Sequence, residues 1–246
     1  MESKNSDRMK SDKCYYCLEP KKGVEHVPPK CFFPQEGKKN YRNNLITVPS
    51  CDVHNSNKST DDQYMFLLFN VISNFNDDPT ARKWLVDKGV ATILRRSHIL
   101  TTLTDDLRIM DGKLVYRNAS KEVVLKPDYS RIGGFFSAMA RAIFFKENSE
   151  SWGGGVFVIP LFLVRVMLNN TVSFNKLLLD ISRYNSSKGQ NKDVFSYTFS
   201  SGEGFDGKLL HMFFYGEFEA VCFFLPDAAR EGVLSKFKDV PGALWV

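Results

Sequence analysis

Apolar residues along this chain fall into two regimes. From Tyr64 to Phe75 they recur every three or four positions (Tyr64, Leu67, Leu68, Val71, Ile72, Phe75). That spacing puts them on one face of a helix running from near His54 to about Phe75. Asp78-Pro79 pairs an N-cap acid with a proline suited to the first helical position, and predicts one or two more helices to about Thr104, interrupted near Gly89. Leu107–Met110 and Lys113–Tyr116 flank Asp111-Gly112, which suits a type I′ turn, so a hairpin is expected there, with Val123–Leu125 as a third strand. Asp128 can cap a helix from Tyr129 to about Lys146, with Ile132, Phe135, Phe136, Met139 and Ile143 on its inner face and Arg131, Arg141 and Lys146 on its solvated face. Gly153–Gly155 breaks the pattern. Val156–Ile159 then reads as a buried strand, Ser173–Tyr184 as a helix, and Val194–Phe199, Leu209–Tyr215 and Phe218–Leu225 as an antiparallel meander dense in Phe and Tyr. The aromatic residues of the meander fit a sheet core better than a base-stacking surface, and His211, alternating within an apolar strand, reads as structural.

Residues 13–60 behave differently. They are rich in Cys, His, Asn, Pro and Lys and poor in periodic apolar positions. Such a segment makes no core by itself and calls for a metal to fold. The organisation expected is a polar lead-in over 1–12, a small metal module over 13–75, and a larger α+β domain over 76–246. The fold class is α+β, with an antiparallel sheet in the larger part.

Composition sharpens this picture in three ways. Most of the 21 Phe lie beyond residue 130, so the main core belongs to the C-terminal part. The net charge is +5, and residues 1–60 hold 11 Lys/Arg against 7 Asp/Glu, so the excess sits beside the Cys/His cluster. A basic surface there suits a polyanion, although a solvated lysine-rich surface has the same composition. The five Cys (14, 17, 31, 51 and 222) are odd in number and uneven in spacing, which excludes a disulfide framework. The polar start of the chain and the lack of a long apolar run predict neither a signal peptide nor a membrane span. A reducing, cytoplasmic setting is expected, where Cys-x-x-Cys is a metal knuckle or a redox site. No βαβ pattern surrounds it, so the redox alternative is the weaker one.

Cys14-x-x-Cys17 and Cys51-x-x-His54 are two short-spaced half-sites, and zinc favours tetrahedral thiolate and imidazole ligands. Cys31 has no partner at ligand spacing and reads as a small buried residue. Between the half-sites, Val24-Glu25-His26-Val27 alternates like a strand, and Leu45–Val48 follows Asn43-Asn44 as a second strand. His54, Asn55 and Lys58 then open the helix. The order is strand, loop, strand, helix, with its ends tied by the metal. Adjacent strand residues point to opposite faces, so Glu25 and His26 share a ligand only if the backbone bends.

Cys14, Cys17, Glu25, His26, Asn44, Cys51, His54, Asn55 and Lys58, in this order, resemble the HNH endonuclease family (the ββα-metal nucleases with a zinc knuckle). The resemblance covers residues 13–65. It departs from the family pattern in ending the second half-knuckle with His54 rather than Cys, and in a longer stretch from Asn44 to Asn55 that makes Asn43 a rival to Asn44. It implies hydrolysis of phosphodiesters, DNA before RNA. His26 is then the general base, Glu25 and Asn55 are oxygen ligands of a catalytic Mg²⁺ or Mn²⁺, and structural Zn²⁺ is held by Cys14, Cys17, Cys51 and His54. Residue chemistry agrees. A neutral imidazole is a competent base for water, and a carboxylate and an amide carbonyl are hard ligands that leave coordination positions open. Asn44 can accept from the His26 ring and fix its tautomer, and Lys58 can meet a neighbouring phosphate. By analogy alone, small stand-alone proteins of this kind act in phage defence or mobile elements. Two rival readings remain open: an inactive zinc module that binds nucleic acid, and an interaction protein whose C-terminal domain carries the function through a protein partner.

Overall fold

A computed structural model of the chain describes residues 12–35, 40–56, 59–72, 114–118, 121–125, 127–163, 187–201, 207–238, 240 and 242–246. The polar lead-in up to residue 11, the helices expected after Asp78 together with His98, the strand expected at Leu107–Met110, and the helix expected over Ser173–Tyr184 lie outside them.

The N-terminal segment forms β1 (Gly23–Val27) and β2 (Ile46–Ser50), antiparallel in one register from Gly23↔Ser50 to Val27↔Ile46. A short helix, α1 (Asp52–Ser56), follows at once, and then α2 (Ser59–Ile72). The helix expected from near His54 is described over Asp52–Ser56 and Ser59–Ile72, starting two residues earlier. Helix α2 is buried well beyond one stripe: Tyr64 to Phe69 are each at most 2 % exposed. A helix surrounded by partners needs no polar face. Its buried Asn70 is satisfied locally, Nδ2 donating to the Phe66 carbonyl at 2.7 Å.

Further along, β3 (Leu114–Asn118) pairs antiparallel with β4 (Lys121–Leu125), which takes in the third strand expected at Val123–Leu125; among the described residues these two strands form a sheet of their own. Helix α3 (Tyr129–Asn148) is capped as read from the sequence, with the Asp128 carboxylate accepting from Arg131 N at 3.2 Å. Five strands, β5 (Gly155–Ile159), β6 (Phe195–Ser201), β7 (Lys208–Phe214), β8 (Phe218–Leu225) and β9 (Leu244–Trp245), form an antiparallel sheet in the order β6-β7-β8-β5-β9. The three meander strands match expectation. The architecture is α+β.

Helix α3 packs on one face of the sheet. The opposite face receives the C-terminal segment with α4 (Arg230–Lys236), where the Phe237 ring packs at a tilt on Phe157 with centroids 5.1 Å apart. Gly155 is required there: a Cβ on it would lie 2.2 Å from the Trp245 ring. The expected solvated face of α3 is not found. Arg131 is bound to Asp61 at 2.7 Å and to the Thr60 carbonyl, and Arg141 is only 9 % exposed. His211 is buried and bonded to Glu219 at 3.0 Å, in keeping with a structural role.

One continuous cluster joins Tyr15, Val27, Phe32, Phe33 and Val48 of the N-terminal segment to α2, α3 and the sheet. Phe32 is its hinge, touching the rings of Phe66, Phe69, Phe135 and Phe214. Two buried bonds dock the loop between β1 and β2 on the sheet. Tyr215 Oη donates to the Phe32 carbonyl at 2.6 Å, and Asn191 Nδ2 donates to the Tyr41 carbonyl at 2.8 Å. The segment that makes no core of its own borrows one.

Candidate metal centre and the adjoining cleft

Cys14 and Cys17 flank the turn that precedes β1, while Cys51 and His54 sit where β2 gives way to α1. Pairing of β1 with β2 brings the two ends together: Tyr15 N donates to the Pro49 carbonyl at 2.9 Å and Lys22 N to the Ser50 carbonyl at 2.9 Å. The four donor atoms of Cys14, Cys17, Cys51 and His54 consequently lie within 4.8 Å of one another, a cluster that can hold a metal ion. Cys17 Sγ and Cys51 Sγ are 3.7 Å apart, Cys14 Sγ and His54 Nδ1 3.8 Å, and Cys51 Sγ and His54 Nδ1 3.2 Å. A tetrahedron with ~2.3 Å metal–sulfur bonds has sulfur–sulfur edges of about 3.8 Å, so the set fits a four-coordinate ion through Nδ1 of His54.

Burial works against ionising Cys14, but the backbone N–H groups of Cys17, Tyr16 and Cys51 outweigh it and hold the thiol below its usual range. That is the direction a thiolate ligand needs, whereas the Cys17 thiol is pushed the other way, up to about 11, first by burial. Cys31 is half-buried and takes no part in the cluster.

Strand alternation divides the remaining candidates. Gly23, Glu25 and Val27 share one face of β1, with Glu25 7 % and Val27 1 % exposed; Val24 and His26 share the other. A Cβ on Gly23 would lie 3.7 Å from Asn55 Nδ2, so Asn55 approaches the face that carries Glu25. The pairing with β2 is regular throughout, and no bend turns His26 toward that face. Glu25 is thus buried on the face that the exposed Asn55 approaches at Gly23, and the imidazole lies across the strand.

Glu25 is engaged by the hydroxyl of Tyr15, whose own pKa is driven far up, first by burial and then by the Glu25 charge and bond. Tyr15 was not legible as a functional residue. Its one signal is its place between the two knuckle cysteines.

His26 has its pKa pushed below the usual value by burial and by the nearby Lys30 charge. Its Nδ1 is buried and has no hydrogen-bond partner among the described residues. The bond expected from Asn44 is thus not made at that nitrogen. Asn44 is exposed, in a left-handed turn (φ 53°), a conformation asparagine tolerates. It faces a cleft shared with Val27, Pro28, Asn191 and Phe195. Asn43 is exposed too, its carbonyl accepting from Asn191 Nδ2 at 3.4 Å. Lys58 lies outside the described residues.

No helix among the described residues is long and apolar enough to cross a membrane. No protein-family model, curated protein or solved structure matches the chain.

Proposed function

We propose that this protein is a metal-dependent endonuclease of the HNH type, hydrolysing phosphodiester bonds of DNA in preference to RNA. The observation that carries it is the strand–strand–helix unit closed by Cys14, Cys17, Cys51 and His54, with Glu25 and Asn55 on one face of the hairpin and His26 on the other. Cys14, Cys17, Cys51 and His54 would hold a structural zinc, which would tie the two ends of the hairpin together. Glu25 and Asn55 would hold one Mg²⁺ or Mn²⁺, which when bound stabilises charge on the scissile phosphate and the leaving oxygen. A phosphate held there would have to lie at the edge of β1 to meet groups from both faces. From the outer face, His26 takes the proton of the attacking water, and its lowered pKa keeps the ring neutral for that task at physiological pH. Lys58 would contact a neighbouring phosphate, and Asn44, which makes no bond to His26 Nδ1, would line the substrate path. The C-terminal α+β part then positions substrate or takes a protein partner. A cytoplasmic role in phage defence belongs to the same proposal, by analogy alone.

The test is incubation of the pure chain with plasmid and with RNA in Mg²⁺ or Mn²⁺, beside His26→Ala. Expected is cleavage by the native chain, reduced at least a hundredfold in the variant (general-base catalysis contributes about 10²–10⁴-fold). Equal cleavage by both, or none by either, removes the catalytic proposal. A second reading has its own support: the burial of Glu25 against Tyr15 and the placement of His26 across the strand are what a zinc-stabilised binding module without catalysis would also have. Native and His26→Ala chains that bind nucleic acid equally and cut nothing would establish it.

A further inference from the structure

The second residue inside the knuckle has a task of its own. The Tyr16 ring lies parallel to the His54 ring, with centroids 4.3 Å apart and planes 18° from parallel. The same ring carries the guanidinium of Arg141, 5.0 Å from its centroid. Arg141 is not a loose surface cation: its two Nη atoms donate to the carbonyls of Trp152 at 2.8 Å and Gly154 at 2.9 Å, and it is 9 % exposed. A chain of contacts therefore runs from the loop before β5, through α3, to the imidazole of the metal cluster.

The ring requires such a hold. A thiolate donates from a single atom and tolerates rotation about its bond, whereas an imidazole must lie with its ring plane through the metal, and here it must also present Nδ1 rather than Nε2. Cys14 and Cys51 receive their places from the hairpin backbone. His54 lies on the short helix α1, with the Tyr16 ring flat against its own.

We propose that Tyr16, steadied by Arg141, is the positioning residue of the metal centre: its stack on His54 sets the imidazole for Nδ1 ligation and ties the centre to the C-terminal sheet. This rests on the Cys₃His cluster binding zinc, so the experiment first measures zinc per chain in the native protein and then its affinity by chelator competition. Expected are one zinc per chain, unchanged affinity in Tyr16→Phe, which keeps the stack, and about a tenfold loss in Tyr16→Leu, the scale of outer-sphere partners of metal ligands. The loss should vanish when Tyr16→Leu is made in a His54→Cys background, where no ring remains to be oriented. A native chain without zinc would overturn the metal reading and this role with it. One zinc per chain with native affinity in Tyr16→Leu, or the same loss in both backgrounds, would overturn the role of Tyr16 alone. If Tyr16→Leu folds in neither background, the residue is a core side chain and the proposal fails.

Discussion

At the scale of single residues, the chemistry of the site turns on what surrounds His26. Burial is the larger cause of its lowered pKa and the Lys30 charge the smaller. Lowering means that the neutral, basic form survives to lower pH than in a free imidazole, whose value is ~6.5. The acid limb of cleavage should then fall below that value, with a plateau above it. Lys30→Met removes a repelling charge, so the pKa should rise and the limb move to higher pH. The shift will be small, since Lys30 is exposed and its charge is screened by solvent. A pH–rate profile of the two proteins checks the sign; a limb that moves down would show that Lys30 does not act through this ring. Tyr15 and Tyr16 make the complementary point. They are adjacent in sequence, yet one reaches inward to Glu25 and the other lies flat on His54.

Among the elements, α3 carries the most, because it touches α2, the hairpin and the sheet together. Its start depends on one side chain, the Asp128 carboxylate that accepts from Arg131 N. Asp128 N in turn donates to Tyr64 Oη at 2.7 Å, and the Arg131 guanidinium lies 4.4 Å from the centroid of the Tyr64 ring, so cap and helix contact coincide. Asp128→Ala should cost about 1 kcal/mol, the usual effect of losing an N-cap. Denaturant unfolding measures it, and a loss within ~0.3 kcal/mol of zero would mean that tertiary contacts alone hold the helix start. Arg141 shows how an element's environment overrides its sequence. On an isolated amphipathic helix it would be solvated, but here the Trp152–Gly154 loop folds over it and supplies two carbonyls.

For the whole molecule, the shared core has a thermodynamic consequence. Phe32 and Tyr15 pack in the same cluster as the sheet residues, so the hairpin cannot melt without uncovering the surface of α2, α3 and β7. Removing the metal with a chelator, or replacing Cys51 with Ser, should lower the thermal midpoint of the entire chain in one cooperative transition. Calorimetry decides between that and two separate transitions, which would show that the N-terminal segment unfolds alone. Acid should act in the same direction as chelation, because ligation needs deprotonated thiols and a neutral imidazole.

The sequence by itself determined what depends on local spacing and donor chemistry. The α3 helix with its Asp128 cap, the meander strands and the two halves of the metal cluster were all legible, because propensity, capping and ligand type act over a few residues. The tertiary structure alone decided what depends on distant partners. It set the burial of Arg141 and of all sides of α2, the two faces that separate His26 from Glu25 and Asn55, the left-handed turn at Asn44 and the missing bond at His26 Nδ1, and the contacts of Tyr15 and Tyr16 with their neighbours. The physical reason is that a strand's alternation is visible in sequence, but which face is covered, and by which ring, is settled only when elements far apart in the chain compete for the same buried space.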